Sequence, residues 1–374
     1  MRDVLMPIES RWSLRHAWRS EPDLAALALC RERLGSVGID LVDAGPAESA
    51  DAVKMHGMEI VDALATGDRP LHDLREVALA GRWEDILPSF VRRYMVHGEC
   101  WHGIPMGIHR ANAVWANAAL AIKVGSRAPA DLTGFLVWLE QARRHARAPL
   151  AIGAEPWQVG VLFEAVVLAV AGPALYRRAF VQLQPSAWRE AAMIEALDRL
   201  LALRAFVGDK HLGLDWADQL ARVQRGEAAV QIMGDWVRAA GDDSLLEWAA
   251  PGTAGRFVAI IDYFVPLART PGPVAERAAM ALTAPEFQGR FARRKGCLPA
   301  VREAWIGIDP LRTGLPGCDA AVLPSLTFDQ CCAVGTKQAL LDVVAHYFVH
   351  GGDSSACARA LAETAAEPMP LRQK

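Results

Sequence analysis

The chain has 374 residues, 52% of them hydrophobic and 22% charged, and its 40 basic and 43 acidic side chains leave a formal net charge of −3. That length suits two domains or one large α/β unit with a sizeable core. So even a balance excludes the basic footprint of a nucleic-acid binder and the basic stripe of a protein held on an anionic membrane.

The first strand is expected within Ser13 to Trp18, followed by a turn at Ser20-Glu21-Pro22. There Ser20 can cap a helix and proline suits its first turn. That helix runs from Pro22 to Leu34 and stops at Gly35 to Gly38; strands follow at Ile39 to Val42 and Ala52 to Met55, and His56-Gly57 opens another helix. The alternation of strand and helix with short connections predicts a mostly parallel sheet covered by helices. From Asn112 to Gln224 helical periodicity dominates, with Leu150 to Gly153 as the only strand. Within this stretch the most apolar run, Val159 to Pro173, is interrupted by Glu164. It reads as a buried helix, because no segment reaches the roughly 18 consecutive apolar residues of a membrane span. Strands return at Ala228 to Met233 and Arg256 to Pro266, helices at Val274 to Leu282, Pro285 to Lys295, Thr336 to Val349 and Ser354 to Ala366. A strand-rich opening, a helical middle and a mixed end predict two lobes with several chain crossings. The first is expected near Asn112 to Asn117, the second between Leu245 and Ile261, the last near Pro310 to Leu323.

The seven cysteines include no C-x-x-C spacing, which argues against a metal site. An odd count reads as reduced thiols, with a bridge from Cys318 to Cys331 or Cys332 left open. Met1 to Pro7 lacks an h-region of secretory length, so the sequence leaves both an exported and a cytoplasmic protein open. No G-x-S-x-G, H-E-x-x-H or phosphate-cradling loop is found. Glu21 and Asp262 remain conceivable as a glycosidase pair.

One stretch is more informative than the rest. Arg225 to Trp236 reads R-G-E-A-A-V-Q-I-M-G-D-W, a glycine turn, an uncharged strand, and then a carboxylate and a large ring where α/β sheets present ligand groups. It resembles the G-K/E-A-A-M-x-I-M-G-D-W segment of sugar-binding proteins of ABC importers. Further segments agree in order and spacing. His16-Ala17-Trp18-Arg19-Ser20 is similar to H-W-W-T-S, Lys54-Met55-His56-Gly57 to Q-x-H-G, and His109 to Asn117 to H-R-x-N-x-x-W-x-N. Gly153 to Gln158 resembles G-G-x-P-W-Q, Lys295 to Pro299 K-G-S-I-P, and Leu323 to Leu326 V-P-S-L. On these residues the chain is identified as a member of the family 1 extracellular solute-binding proteins, nearest the glucose/mannose-type branch.

The resemblance implies a type II periplasmic-binding-protein fold of class α/β, with two lobes that each carry a helix-covered mixed sheet and a ligand cleft at the hinge. Residues 1–112 with about 258–312 would form the first lobe, and about 113–257 with 313–374 the second. It also implies a monomeric periplasmic receptor that closes on a mono- or oligosaccharide and passes it to ABC permease subunits, with no enzymatic activity, cofactor, metal or membrane insertion. A cytoplasmic sensor or a degenerate interaction module of the same fold is the alternative.

A pyranose offers apolar C–H faces and a rim of hydroxyls, so its receptor needs flat aromatic platforms and charged or amide partners. Trp18, Trp157 and Trp236 are the expected platforms. Glu21, Lys54, His56, His109, Asp262 and Lys295 are the expected rim. Asp262 stands out because a carboxylate in the apolar run Val258 to Val265 needs a partner. His56 and Asp235 could equally cap helices, and Arg110 could hold the hinge. Three positions depart from the family pattern: Ala17 replaces one tryptophan, Lys54 replaces a glutamine, and Phe328 lies where relatives place a histidine. The lysine raises the expectation of an acidic or otherwise modified sugar.

Overall fold

The computed structural model of the chain describes residues 10–45, 49–125, 127–306, 308 and 321–367. The described chain divides into two compact units. The first comprises Met1–His109, Arg238–Ala240 and Ile260–Thr313, and the second Arg110–Val237, Gly241–Ala259 and Gly314–Lys374. Most of the segment expected to hold the last crossing, and Cys318, lie outside the described residues. Cys30, Cys100 and Cys357 are free thiols.

The first unit is built on β1 (Ser10–Arg15), β2 (Ile39–Asp43) and β3 (Ala52–Met55), with β1 parallel to both others. Helix α1 (Glu21–Gly35) connects β1 to β2. Its start is a capping box: Ser20 Oγ accepts from the Asp23 backbone N–H at 3.4 Å, and Asp23 Oδ2 accepts from that of Ser20 at 3.1 Å. β1 begins three residues earlier than expected and ends at Arg15, which places Trp18 in the connection and not on the strand. After α2 (Gly57–Thr66) come three short helices that hydrophobic periodicity did not reveal, α3 (Arg75–Ala80), α4 (Trp83–Ile86) and α5 (Ser89–Met95). A small hairpin of β4 (Val96–His97) and β5 (Cys100–Trp101) follows, then β6 (Ile104–Arg110), buried along its whole length.

The second unit opens with β7 (Ala113–Asn117), inside the stretch expected to be helical. All five residues of this strand are buried, so no alternation marks it. It is the middle of a three-stranded antiparallel sheet with β8 (Val230–Met233) and β9 (Leu245–Ala249). Leu150 to Gly153 is no strand; only Leu150 forms an isolated bridge, to Val230. Between β7 and β8 lie α6 (Ala118–Val124), α7 (Leu132–Ala142), α8 (Pro156–Tyr176), α9 (Pro185–Trp188), α10 (Ala191–Arg204) and α11 (Trp216–Gln224). α8 is the apolar helix: together with the π-helical turn that extends it to Val181 it is long and apolar enough to cross a membrane. Here it is the core helix of its unit, packed against α10 and the later α14 (Val334–His350). Its Glu164 is fully buried and accepts from Ser325 Oγ at 3.0 Å and, closely, from the Thr327 backbone N–H.

The long strand β10 (Phe257–Pro266) belongs to both units. Its first three residues pair in parallel with β11 (Val322–Pro324), and Tyr263 to Pro266 pair antiparallel with β3. β6 also pairs with it, completing a six-stranded mixed sheet, as the resemblance implied, in which β1–β2, β1–β3 and β10–β11 pair in parallel and β10–β3 antiparallel. α12 (Gly272–Thr283) and α13 (Pro285–Lys295) follow in the first unit; α15 (Ser354–Ala366) packs on α14 in the second.

Candidate ligand-binding residues

In the first unit the expected rim residues gather around one carboxylate. Lys54 pairs with Phe264 and Met55 with Tyr263, so this register carried one step further sets His56 beside Asp262. Strand alternation then turns Lys54, His56, Asp262 and Phe264 to one face of the sheet. Asp262 Oδ1 lies 2.8 Å from Lys54 Nζ and 3.2 Å from His56 Nε2; His109 Nε2 is 3.9 Å from Oδ2. Lys54 Nζ also lies 2.5 Å from His56 Nε2. That ring nitrogen therefore faces a cation and a carboxylate, and the tautomer decides which of them it bonds. Burial alone would raise the carboxyl pKa of Asp262, but the Lys54 charge, the His56 hydrogen bond and the charges of His56 and His109 hold it well below the usual carboxylate range. His56 stands at the N-terminus of α2, where its backbone N–H donates to Glu59 Oε2 at 2.7 Å.

Trp18 is 6% exposed. Its ring packs against Phe264 at 5.5 Å and Phe291 at 6.2 Å, with Lys295 Nζ 4.7 Å from its centroid. In this structure Trp18 packs into the unit instead of presenting an open face. Lys295 is buried and ion-paired with Asp23, whose pKa burial would raise and the Lys295 charge and hydrogen bonds lower. Glu21, at the start of the same helix, is instead exposed, with Arg294 at 2.5 Å. Sequence reasoning named Glu21 and missed Asp23, although Ser20 with an acidic residue three positions on is the capping-box spacing that marks it.

The second unit carries the aromatic counterpart. Trp216, Trp236, Phe328 and Trp157 are all half-buried and form a chain of edge-to-face contacts. Centroids are 6.4 Å apart for Trp216 and Trp236, 5.5 Å for Trp236 and Phe328, and 6.0 Å for Phe328 and Trp157. Such geometry matches the preferred packing of ring quadrupoles and makes a rigid platform. Trp236 owes its place to Gly234: a Cβ there would lie 1.9 Å from the indole. Trp157 is oriented by Glu155 Oε2, which accepts from its Nε1 at 2.8 Å and from Gln158 Nε2 at 3.0 Å. Asp235 is buried and accepts from the Arg110 backbone N–H at 3.0 Å. Asn112 ties the start of β7 to the approach of β10, accepting from the Val258 N–H at 2.9 Å and donating to Thr253 Oγ1 at 2.9 Å. Trp216 was not singled out from the sequence, because as the first residue of an amphipathic helix it looks like any core tryptophan.

No family model matches the chain. A probable sugar-binding periplasmic protein of Rhizobium meliloti (strain 1021) is 30% identical over 350 residues, 86% of this chain and 79% of the relative. One of the same description from Brucella suis biovar 1 (strain 1330) is 31% identical over 313 residues, 76% of this chain and 73% of its own. Among solved structures, a chitin oligosaccharide binding protein superposes with a TM-score of 0.79 at 17% identity, covering 96% of this chain and 98% of the other. A bacterial solute receptor with an exclusive preference for β-D-galactopyranose gives 0.80 at 13% identity, over 96% and 98%. The fold is that of the type II-like periplasmic sugar-binding proteins. The chain belongs to the family of sugar-binding periplasmic proteins of ABC importers, the family 1 extracellular solute-binding proteins. This family consists of receptors and not enzymes, so the glycosidase reading of Glu21 and Asp262 falls. The geometry agrees: a carboxyl held as deeply ionised as that of Asp262 is a poor general acid.

Proposed function

We propose that this chain is the carbohydrate receptor of an ABC-type importer, acting in the periplasm as a monomer and delivering its ligand to permease subunits. The observation that carries this reading is the run of four half-exposed rings, Trp157, Phe328, Trp236 and Trp216. A rigid wall of this kind suits the flat C–H face of a pyranose. Trp236 and Phe328 supply the stacking surface, and Lys54, His56 and Asp262 supply hydroxyl partners. The family resemblance supports closure of the two units on one ligand.

The sugar is proposed to be neutral. Lys54, taken alone, suggested an acidic or modified ligand. Its ammonium, however, stands 2.8 Å from the Asp262 carboxylate, so the charge is already balanced and little remains to attract an anion. A paired lysine and aspartate instead offer a donor and an acceptor to neighbouring hydroxyls, a match for neutral sugars.

Thermal-shift screening against neutral hexoses, pentoses, their oligomers and uronic acids tests the proposal, since a ligand raises Tm by mass action. A concentration-dependent rise with a neutral saccharide, lost in Trp236→Ala, is the expected outcome. No response to any saccharide sinks the receptor reading; a response to uronic acids alone sinks the neutral-ligand part.

A further inference from the structure

Within the second unit lies a cavity of about 680 Å³ that shares no residue with the aromatic wall. It is formed where the segment after α7 meets the connection from α10 to α11 and the Gly226-Glu227 turn. Its lining is strongly one-signed. His145, Arg147, Lys210, His211 and Arg222 face a single carboxylate, Glu227, and that carboxylate is already held by Arg225 at 2.6 Å.

Arg222 is the unusual member. It is 3% exposed, and the carboxylate that acts on it, Glu227, is also held by Arg225. One guanidinium nitrogen donates to the neutral Gln219 Oε1 at 2.7 Å, while the buried Nε has no hydrogen-bond partner. A guanidinium buried this far with only a neutral side-chain partner is costly, and an anion in the cavity would offset that cost. Burial, then the nearby Arg225, push the Arg222 pKa down against the opposing pull of Glu227. Burial, then Arg222 and Lys210, likewise favour neutral His211. Both shifts report chiefly the loss of water around the two groups, in a partly closed space lined by more basic than acidic side chains.

We propose that this cavity is a second binding site, separate from the carbohydrate residues, for an oxyanion group on a small molecule, a phosphate or a carboxylate. Arg222 receives the oxyanion at the buried end, and the exposed Arg147 and Lys210 hold it at the mouth. The guanidinium fork is suited to two oxygens of one such group.

The test titrates inorganic phosphate and, separately, succinate into the full chain at constant ionic strength. It follows calorimetric heats and the imidazole NMR signals of His211, with His346 and His350 on α14 as controls. Saturable shifts confined to His211 and His145, the two histidines that line the cavity, are expected, with the His211 titration moving to higher pH when the site is filled. The Arg147→Ala/Lys210→Ala double variant should weaken binding by about tenfold or more, the loss expected for at least one charge-assisted hydrogen bond. Arg222→Gln should abolish it. If Arg222→Gln does not fold, the double variant of exposed residues decides alone. Response to phosphate but not succinate assigns a phosphoryl ligand, and the reverse a carboxylate. Shifts that never saturate, that chloride reproduces, or that the double variant leaves unchanged overturn the proposal.

Discussion

The two units present their candidate ligand groups in opposite states of satisfaction. In the first, each polar group already has a partner: Lys54 and His56 on Asp262, Lys295 on Asp23, and Trp18 under the Lys295 ammonium. In the second, Trp236 and its neighbours touch one another by their edges and keep part of their surface in solvent. A network of paired buried charges is stable only while complete, and deleting one member strands the others. Half-exposed rings hold much of their possible hydrophobic gain in reserve until something flat covers them. The first unit therefore holds its polar groups in place through one another, and the second leaves apolar surface that a ligand could still cover.

The sharpest test of this contrast is Asp262→Ala. It leaves Lys54 and His56 buried beside an empty position and should cost about 3–5 kcal/mol in denaturant unfolding. Replacing Lys54 and Asp262 together by Met and Leu should restore most of that loss. If the single substitution costs less than about 1 kcal/mol, the network does not hold the first unit together.

A buried group in the second unit gives the next effect. Burial raises the Glu164 pKa to about 7, against the hydrogen bonds from Thr327 and Ser325 that lower it. Because the folded-state pKa lies above the unfolded one, the native state holds a proton that the unfolded chain has released. The associated stability is full below about pH 4.5, falls as pH rises, and is gone above about pH 7, for a total of roughly 3 kcal/mol. Tm curves between pH 4 and 8 should show this slope in the wild-type chain and a flatter one in Glu164→Gln.

For affinity, Trp236→Ala should weaken binding of whichever saccharide the screen identifies by about 30–100-fold, roughly 2–3 kcal/mol, while leaving Tm of the free protein nearly unchanged. Gly234→Ala should follow in the same direction, because the new methyl displaces the ring. Should either variant unfold the protein instead, Trp236 belongs to the core and the contrast between the units collapses. The smallest effect is expected at Glu21→Ala, an exposed carboxylate paired with Arg294, where stability should move by no more than about 0.5 kcal/mol.

What could be read from the chain depended on whether a local pattern carried the information. Ser20 as a cap, Ala52 to Met55 as a strand, Pro285 to Lys295 and Ser354 to Ala366 as helices all follow from local chemistry, and all stand in the structure. β7 did not, because a strand buried on both faces has the same composition as a buried helix. Asp262 was legible as a carboxylate in need of a partner, but Lys54 as that partner was not. Their meeting is set by the antiparallel register of strands some two hundred positions apart, to which neither segment points. Trp18 shows the converse, since its motif is family-like while its burial depends on Phe291 of a distant helix.

The perpendicular indoles of Trp216 and Trp236 have an optical consequence. Two indoles with centroids 6.4 Å apart and planes inclined at 85° bring strong transition dipoles close enough to couple, and the coupling gives a circular-dichroism couplet whose sign and size follow the dipoles' mutual orientation. A molecule settling on Trp236 changes that signal directly. The protein holds its own references as well, for the planes of Trp138 and Trp248 stand at 89° and those of Trp83 and Trp101 at 71°, and neither pair shares a ring with the contacts of Trp236. Occupancy can thus be followed in unlabelled protein, with the silent pairs as the baseline and the ring proposed to bind as the reporter.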